Sequence, residues 1–368
     1  MSTDTRQRLQ CCLAVCFLTC PGSVYARPLG ASLTGQEILC ETTTWGPSTS
    51  TPGIYAVAVD GQVTRVVTYG RRPLWAPNHR RFLYWREGAV WVADVQEHVT
   101  YEVTSLPASL SADALWMPDS DRLVYCGLGA PWPTVQPYSE VAQPGGAVPP
   151  TQLWAQAGER VGALSFAADS LRVAYEDGKL LPGLGVYASR LFVRDLRTDG
   201  RQPIPIPDPA ETLLLNPQWQ PGWSLVAFDS ISVDNGNARR KSYVYDTRTR
   251  VTRPVVVQGA AYTQVIEWSP DSNSLLVMVD PDYASGEGRC SPYIWYVDPQ
   301  KSPTPVDGYM SHVYEVHWSP NGERVAFLTG DNCLLSVSRG IDLVIWGAKG
   351  GCVHVTLPPG LRPVEFDW

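Results

Sequence analysis

The sequence has little of what several common classes of protein require. Charged residues make up 18% and hydrophobic residues 44% of its 368 residues, a balance that excludes a disordered chain. Beyond the N-terminus there is no apolar run of 18 or more residues, so a protein with several membrane-spanning helices is excluded. The sequence also has no Gly-x-Ser-x-Gly elbow, no His-Glu-x-x-His and no phosphate- or dinucleotide-binding glycine motif. It therefore gives no direct sign of the usual hydrolase, metalloprotease or nucleotide-binding chemistry.

Positive charge and regularly spaced cysteines are scarce as well. The formal net charge is −7, and the longest basic run is Arg239–Lys241, so we expect no nucleic-acid partner. Five cysteines follow residue 26, none with Cys-x-x-Cys spacing, and a structural zinc site is therefore not expected. Cys40 and Cys126 are predicted to be buried thiols of β-strands.

Aromatic residues and turn formers are abundant instead. Fourteen Trp and 17 Tyr stand beside 31 Gly and 32 Pro. Trp and Tyr favour strands, whereas Gly and Pro favour turns, so this composition is typical of sandwiches, barrels and propellers. We expect an all-β fold.

The first 26 residues have the layout of a secretory signal peptide. Two arginines precede the apolar stretch Cys11–Cys20, and a small-x-small cleavage site ends at Ala26. We therefore predict export to the periplasm or the extracellular space, with no membrane span after cleavage. The alternative is a lipoprotein signal acylated at Cys20, which the preceding Phe17-Leu18-Thr19 fits poorly.

A unit of about fifty residues recurs along the rest of the chain. It consists of an apolar strand that ends in an aromatic residue (the anchor), a tight polar turn and a second apolar strand, as in Trp268-Ser269-Pro270-Asp271 and Trp318-Ser319-Pro320-Asn321-Gly322. A period-2 hairpin follows each copy. The unit predicts a four-stranded antiparallel propeller blade. The anchors are separated by 41, 50, 53, 49 and 50 residues and are Trp75, Trp116, Phe166, Trp219, Trp268 and Trp318.

The two ends of the repeat region predict a composite blade. Residues 37–41 and 53–60 fit a second and a third strand without a first, and Pro363–Phe366 fits the missing first strand, with Phe366 as its anchor. The sequence thus predicts a seven-bladed β-propeller closed by strands from both termini, which leaves no open sheet edge. The predicted parts are a signal peptide (1–26), a lead-in (27–36) and one propeller domain (37–368) with a long insertion loop at 127–151.

The Trp-Ser-Pro-Asp and Trp-Ser-Pro-Asn-Gly turns at blade spacing resemble the repeats of TolB-like β-propellers over residues 37–368. This resemblance implies the fold. It does not imply an activity, because similar repeats occur in peptidase-associated propellers, polysaccharide lyases and envelope scaffolds. TolB proper carries a separate domain before its propeller, so the resemblance does not extend to its partner.

Acidic residues recur just after the predicted second strands. Loops that join second to third strands share one rim of a propeller, so we predict an acidic rim that attracts cations or a basic partner. The alternative is an ordinary solvated set of polar loops. Trp132 and Tyr138 in the predicted insertion add rigid aromatic contact area. The acids of this rim are Glu41, Glu87, Glu176, Asp177, Asp229, Asp280, Asp282 and Asp331.

A second candidate site comes from the residue before each anchor. Gln218, Glu267, His317 and Glu365 would come from four consecutive blades at one level of the channel wall. Oxygen ligands with one nitrogen suit a divalent cation or a small cationic ligand. If the position points between blades, these side chains only satisfy backbone groups and one another.

From these features we predict an exported, monomeric, non-catalytic β-propeller that binds a protein partner or a small ligand at the acidic rim. The alternative is a carbohydrate-active enzyme, a polysaccharide lyase or a glycosidase, with its site at the channel mouth. Paired carboxylates beside aromatic platforms at that mouth would favour the enzyme.

Overall fold

The computed structural model describes most of the chain after the predicted signal segment, and residues 1–26 lie outside it. The described ranges are 27–44, 50–104, 114–128, 135–143, 151–154, 161–180, 187–205, 211–222, 224–234, 237–281, 290–306, 313–330, 341–347 and 351–368.

These residues form strands joined by short turns, and the expectation of an all-β chain is confirmed. In the described ranges there is no helix, and hence none long and apolar enough to cross a membrane. The strands are β1 Arg27–Pro28, β2 Ile38–Thr44, β3 Gly53–Val57, β4 Val63–Thr68, β5 Arg71–Trp75, β6 Arg81–Arg86, β7 Ala89–Asp94, β8 Val99–Thr104, β9 Leu115–Trp116, β10 Arg122–Leu128, β11 Val135–Val141, β12 Thr151–Gln152, β13 Val161–Phe166, β14 Arg172–Leu180, β15 Tyr187–Asp195, β16 Gly200–Pro203, β17 Glu211–Trp219, β18 Leu225–Asp234, β19 Asn237–Asp246, β20 Val251–Pro254, β21 Tyr262–Trp268, β22 Ser274–Asp280, β23 Ser291–Tyr296, β24 Thr304–Pro305, β25 Val313–Trp318, β26 Arg324–Gly330, β27 Ile341–Gly347, β28 Gly351–His354 and β29 Leu361–Asp367.

The strands of the described ranges make seven antiparallel sheets. Sheet 1 has the order β29-β2-β3-β4, and sheet 2 contains β5 to β8 with β1 added at its outer edge. Sheets 3 to 7 are β9–β12, β13–β16, β17–β20, β21–β24 and β25–β28, each with its strands in chain order. The predicted lead-in thus supplies a short edge strand, β1, which the sequence pattern did not indicate.

The turn after each anchor is stabilised by hydrogen bonds from backbone N–H groups to a side chain within the turn, and by a residue with positive φ. Asp119 Oδ1 accepts the N–H of Asp121 at 3.0 Å, and Asp271 Oδ1 accepts the N–H of Asn273 at 3.0 Å. Aspartate favours turns for this reason, since it bonds its own backbone two residues on. In five sheets the fourth residue after the anchor has the left-handed backbone conformation with positive φ. These residues are His79, Ser120, Ser170, Ser272 and Gly322.

The apolar core lies between neighbouring sheets. Trp219 of sheet 5 packs in one buried cluster with Leu191 of sheet 4, and Phe366 of sheet 1 packs with Ala326 and Leu343 of sheet 7. The last sheet therefore packs against the first. Cys40 lies in that same cluster as a free, fully buried thiol, as predicted. The side chain of Cys126 lies outside the described residues.

The pairing in sheet 1 corrects the predicted anchor of the composite blade. Asp367 of β29 pairs with Leu39, as His317 pairs with Ala326 and Glu267 with Leu276. The equivalent of Trp318 is therefore Trp368, fifty residues on, and not Phe366. The prediction was two residues early because no Ser-Pro-Asp turn follows Trp368 to mark it.

The predicted insertion loop at 127–151 contains regular structure. The second strand of sheet 3 continues to Leu128, and Val135–Val141 forms the third strand, in which Tyr138 pairs with Tyr125. Pro137, one of six prolines in this segment, lies within β11. The side chain of Tyr138 and all of Trp132 lie outside the described residues.

Candidate functional site

The residue before each anchor occupies an equivalent place in every sheet, which we call the pre-anchor position. In three sheets its side chain accepts a backbone N–H from the first strand of the next sheet. Asp367 Oδ2 accepts the N–H of Trp75 at 2.6 Å, and Ser165 Oγ accepts that of Trp219 at 2.7 Å. A carboxylate oxygen of Glu267 accepts the N–H of Trp318 in the same way. In chain order from sheet 1, the pre-anchor residues are Asp367, Leu74, Leu115, Ser165, Gln218, Glu267 and His317.

His317 joins three sheets through acidic groups. Its Nδ1 lies 3.0 Å from Glu267 Oε2 of sheet 6 and 3.9 Å from Asp367 Oδ1 of sheet 1. Its Nε2 lies 3.6 Å from Glu315 Oε1 on its own strand. Glu315 also accepts the N–H of Phe366 at 3.1 Å, and the Phe366 ring meets the imidazole edge to face at 5.0 Å. We call Glu267, Glu315, His317 and Asp367 the acidic cluster.

The charges of the acidic cluster change the pKa values of its members. Burial lowers the pKa of His317, but the charge and hydrogen bond of Glu267, with Glu315 and Asp367, outweigh burial and raise it well above its usual value. Burial raises the pKa of Asp367 to about 6, although His317 and the Trp75 N–H act in the opposite direction. At neutral pH His317 is thus an imidazolium, and Asp367 is mostly ionised.

A cavity of about 440 Å³ opens beside the acidic cluster, on the remaining side of the channel. Four consecutive sheets line it, through pre-anchor residues, anchors and the prolines that follow them. Since the lining consists of anchors, the residues before them and the residues of the turns after them, the cavity lies on the anchor side of sheets 2 to 5. Its apolar lining includes Leu74, Trp75, Leu115, Pro118, Phe166 and Trp219.

The acidic cluster is connected to the lining of the cavity through one residue, Trp75. Trp75 lines the cavity, and its backbone N–H donates to Asp367. The side chains of Asp367, Glu315 and Glu267 are 14%, 25% and 29% exposed. The anchor side of the molecule therefore presents an apolar lining from sheets 2 to 5 and an acidic cluster from sheets 6, 7 and 1.

The predicted ligand set for a divalent cation is not assembled. Glu267 and His317 are in contact, but Gln218 Nε2 donates to Asn216 Oδ1 at 3.2 Å, and Glu365 lies 3.8 Å from the guanidinium of Arg72. Glu365 was assigned to this level through the two-residue error in the anchor. Among the described residues, no group of three or more His, Cys, Asp or Glu side chains is arranged to hold a metal ion.

Two buried carboxylates of the predicted acidic rim form ion pairs with arginines. Asp229 is fully buried and lies 2.7 Å from the guanidinium of Arg240, and Asp177, 3% exposed, lies 2.7 Å from that of Arg201. Asp280 is 1% exposed at the end of β22. These carboxylates are interior groups rather than parts of an open rim.

Recurrence of acids along the second strands has a structural cause. Glu41 accepts the N–H of Arg72 at 2.8 Å, Glu176 that of Asn216 at 2.6 Å, and Asp229 that of Val265 at 2.8 Å. Each carboxylate thus satisfies a backbone N–H on the first strand of the next sheet. Glu87 lies in an exposed turn and contacts Arg86 at 3.4 Å. Asp282 and Asp331 lie outside the described residues.

Sequence reasoning missed three residues of these sites. Asp367 and Glu315 complete the acidic cluster, and Arg240 neutralises Asp229. The signal for Asp367 was available, because Asp367-Trp368 lies fifty residues after His317-Trp318. Arg240 gave no such signal, since it lies on the third strand of its sheet, outside the recurring motif.

Comparison with known proteins identifies the fold. The chain matches an oligogalacturonate lyase in complex with manganese over 91% of its own length and 85% of that protein's, with a TM-score of 0.60 and 14% identity. The β-propeller domain of the Trilobed protease from Pyrococcus furiosus matches over 92% and 98%, with a TM-score of 0.62 and 12% identity. TolB from Acinetobacter baumannii matches over 75% and 66%, with a TM-score of 0.44 and 16% identity.

These likenesses concern the fold alone, and the assignment of the fold rests on the first two structures. The predicted β-propeller fold is confirmed by these two structures. No protein-family model matches the sequence, and a search of curated proteins also found no match. The chain is a β-propeller built from four-stranded antiparallel sheets.

Proposed function

We propose that this protein is an exported, non-catalytic β-propeller that binds a ligand at the channel mouth on the anchor side. The observation that carries the proposal is the cavity of about 440 Å³ beside the acidic cluster. Its volume falls within the range of about 300–1,000 Å³ that is usual for small-molecule pockets. Prolines and anchors on short turns line it, and such a rigid lining costs little entropy when a ligand binds.

The proposal moves the binding site from the predicted rim to the opposite end of the channel. At the rim end, Asp177 and Asp229 are already bonded to arginines, so they have little charge left to attract a partner. We further propose that the seven sheets are the blades of one closed ring, with sheet 1 joining both ends of the chain, and that residues 1–26 direct export.

A carbohydrate-active enzyme remains the second candidate, favoured by the raised pKa of Asp367, which suits a general acid. Two features weigh against it at this mouth. His317 is held as a cation by its acidic neighbours, which makes it a poor general base near neutral pH. The pre-anchor residues include no lysine or arginine to pair with the carboxylates of a substrate such as an oligogalacturonate.

Fragment binding tests the proposal. Aromatic fragments of neutral, cationic and anionic charge would be screened against the protein by ligand-observed NMR. Ala168→Trp fills the cavity from an exposed turn position, and Leu115→Arg places a charge in its apolar wall. Fragments that bind the parent should lose binding to both variants and should bind the control Val256→Arg normally, since Val256 is 62% exposed elsewhere.

Fragments that bind Ala168→Trp and Leu115→Arg as well as the parent would contradict the proposal, as would a screen in which no fragment binds the parent. Incubation with oligogalacturonate, followed by the ultraviolet absorbance of the unsaturated product, tests the second candidate. Turnover that is lost in Asp367→Asn would favour the enzyme.

A further inference from the structure

The acidic cluster differs from the other acidic groups of the interior in its partners. Asp177 and Asp229 each pair with an arginine. Within the described residues, the three carboxylates of the acidic cluster form an ion pair with no lysine or arginine, and His317 is the cation they share. Three carboxyl groups around one imidazolium leave an excess of negative charge at the edge of an apolar cavity.

This negative charge lies next to the lining of the cavity. Asp367 is one hydrogen bond from the cavity lining, through the backbone N–H of Trp75. Beside it, the walls formed by Leu74, Leu115 and Phe166 carry no charge. A ligand that suits both surfaces has an apolar body and one positively charged group.

We propose that the cavity binds a small organic cation, a protonated amine on an apolar or aromatic body, with the amine at Asp367 and the body against Leu74, Leu115 and Phe166. This inference rests on the proposed function and specifies its ligand class. The amine would donate charge-assisted hydrogen bonds to Asp367 and gain further attraction from Glu267. The ordered apolar walls would bury the body.

Three compounds with one ring system test the inference by isothermal titration calorimetry at pH 7.5. Tryptamine carries a protonated amine, 3-methylindole is neutral, and indole-3-propionate is anionic. Tryptamine should bind most tightly and indole-3-propionate most weakly. Asp367→Asn should weaken tryptamine about tenfold or more, since a hydrogen bond between charged groups is lost. The amide still accepts the Trp75 N–H, which favours folding of the variant.

Matched variants separate local from general electrostatics. Glu267→Gln should also weaken tryptamine, whereas Asp298→Asn, at an exposed hairpin turn of sheet 6, should leave it unchanged. Should Asp367→Asn fail to fold, the order of affinities of the three compounds for the parent still tests the inference.

The outcomes distinguish the two proposals. If 3-methylindole or indole-3-propionate binds as tightly as tryptamine, and Ala168→Trp abolishes that binding, the cation inference is overturned and the proposed function stands. If none of the three binds and no fragment depends on Ala168, both fail. A lysine-containing peptide that binds where tryptamine does not would overturn the small-molecule form.

Discussion

Replacing Phe366 by alanine should destabilise the fold strongly, because this side chain joins the two ends of the repeat region. Phe366 is 1% exposed on β29, opposite Cys40 of β2, and it packs against Leu343 of sheet 7 and the edge of His317. Truncating a buried Phe to Ala costs about 3–5 kcal/mol from lost transfer energy and the cavity left behind. Since domains are stable by about 5–15 kcal/mol, this would be a large share of the total.

Urea unfolding measures the effect as a lower midpoint at an unchanged slope. Val364 supplies the matched control, because it lies on the same strand but is 45% exposed. Val364→Ala should change the free energy of unfolding by no more than about 0.5 kcal/mol. If Phe366→Ala costs no more than Val364→Ala, the packing of sheet 1 against sheet 7 through β29 is refuted, and with it the proposed closed ring.

Three other predictions concern titration and reactivity. The pKa of His317 is raised in the fold, so its stabilising contribution is fully present below about pH 6.5 and is lost as pH rises through the folded pKa. The difference in free energy of unfolding between the parent and His317→Gln should therefore shrink at alkaline pH, and a constant difference would argue against the charged contact. Tryptamine affinity should fall as pH drops through about 6, where Asp367 is protonated, and an unchanged affinity at pH 5 would place the amine elsewhere. Because Cys40 is fully buried and burial raises its pKa, thiol reagents should leave it unmodified until urea unfolds the chain, as peptide mapping would show.

The sequence predicted those parts of the molecule that local patterns determine. The anchors and polar turns repeat because each turn depends on a few adjacent side chains, such as Asp119 and Asp271. It placed the composite sheet at the right ends of the chain and misassigned its anchor by two residues, because Trp368 lacks a following turn. The strands of sheet 3 were missed where Pro137 interrupts the pattern.

The candidate site was harder to predict because its partners come from different sheets. Glu267 and His317 share a motif position and were paired correctly by the repeat. The recurring acids were recognised, but their structural role was not. Arg240, which neutralises Asp229, lies on another strand, and Val265, whose N–H donates to Asp229, lies on another sheet. Periodicity shows that a position recurs, whereas only the structure shows what each side chain meets there.

The composite sheet also fixes an order of events during biosynthesis. Leu39 pairs with Asp367, which lies 328 positions later in the sequence, so β2 cannot complete its sheet until almost the whole chain has been synthesised. Until β29 arrives, the backbone donors and acceptors along one side of β2 remain available to other chains. Pairing across so long a separation is slow to form, since the entropy of closing the loop precedes any contact energy. A chaperone that shields this edge would thus raise the yield of native protein, without altering the stability of the finished fold.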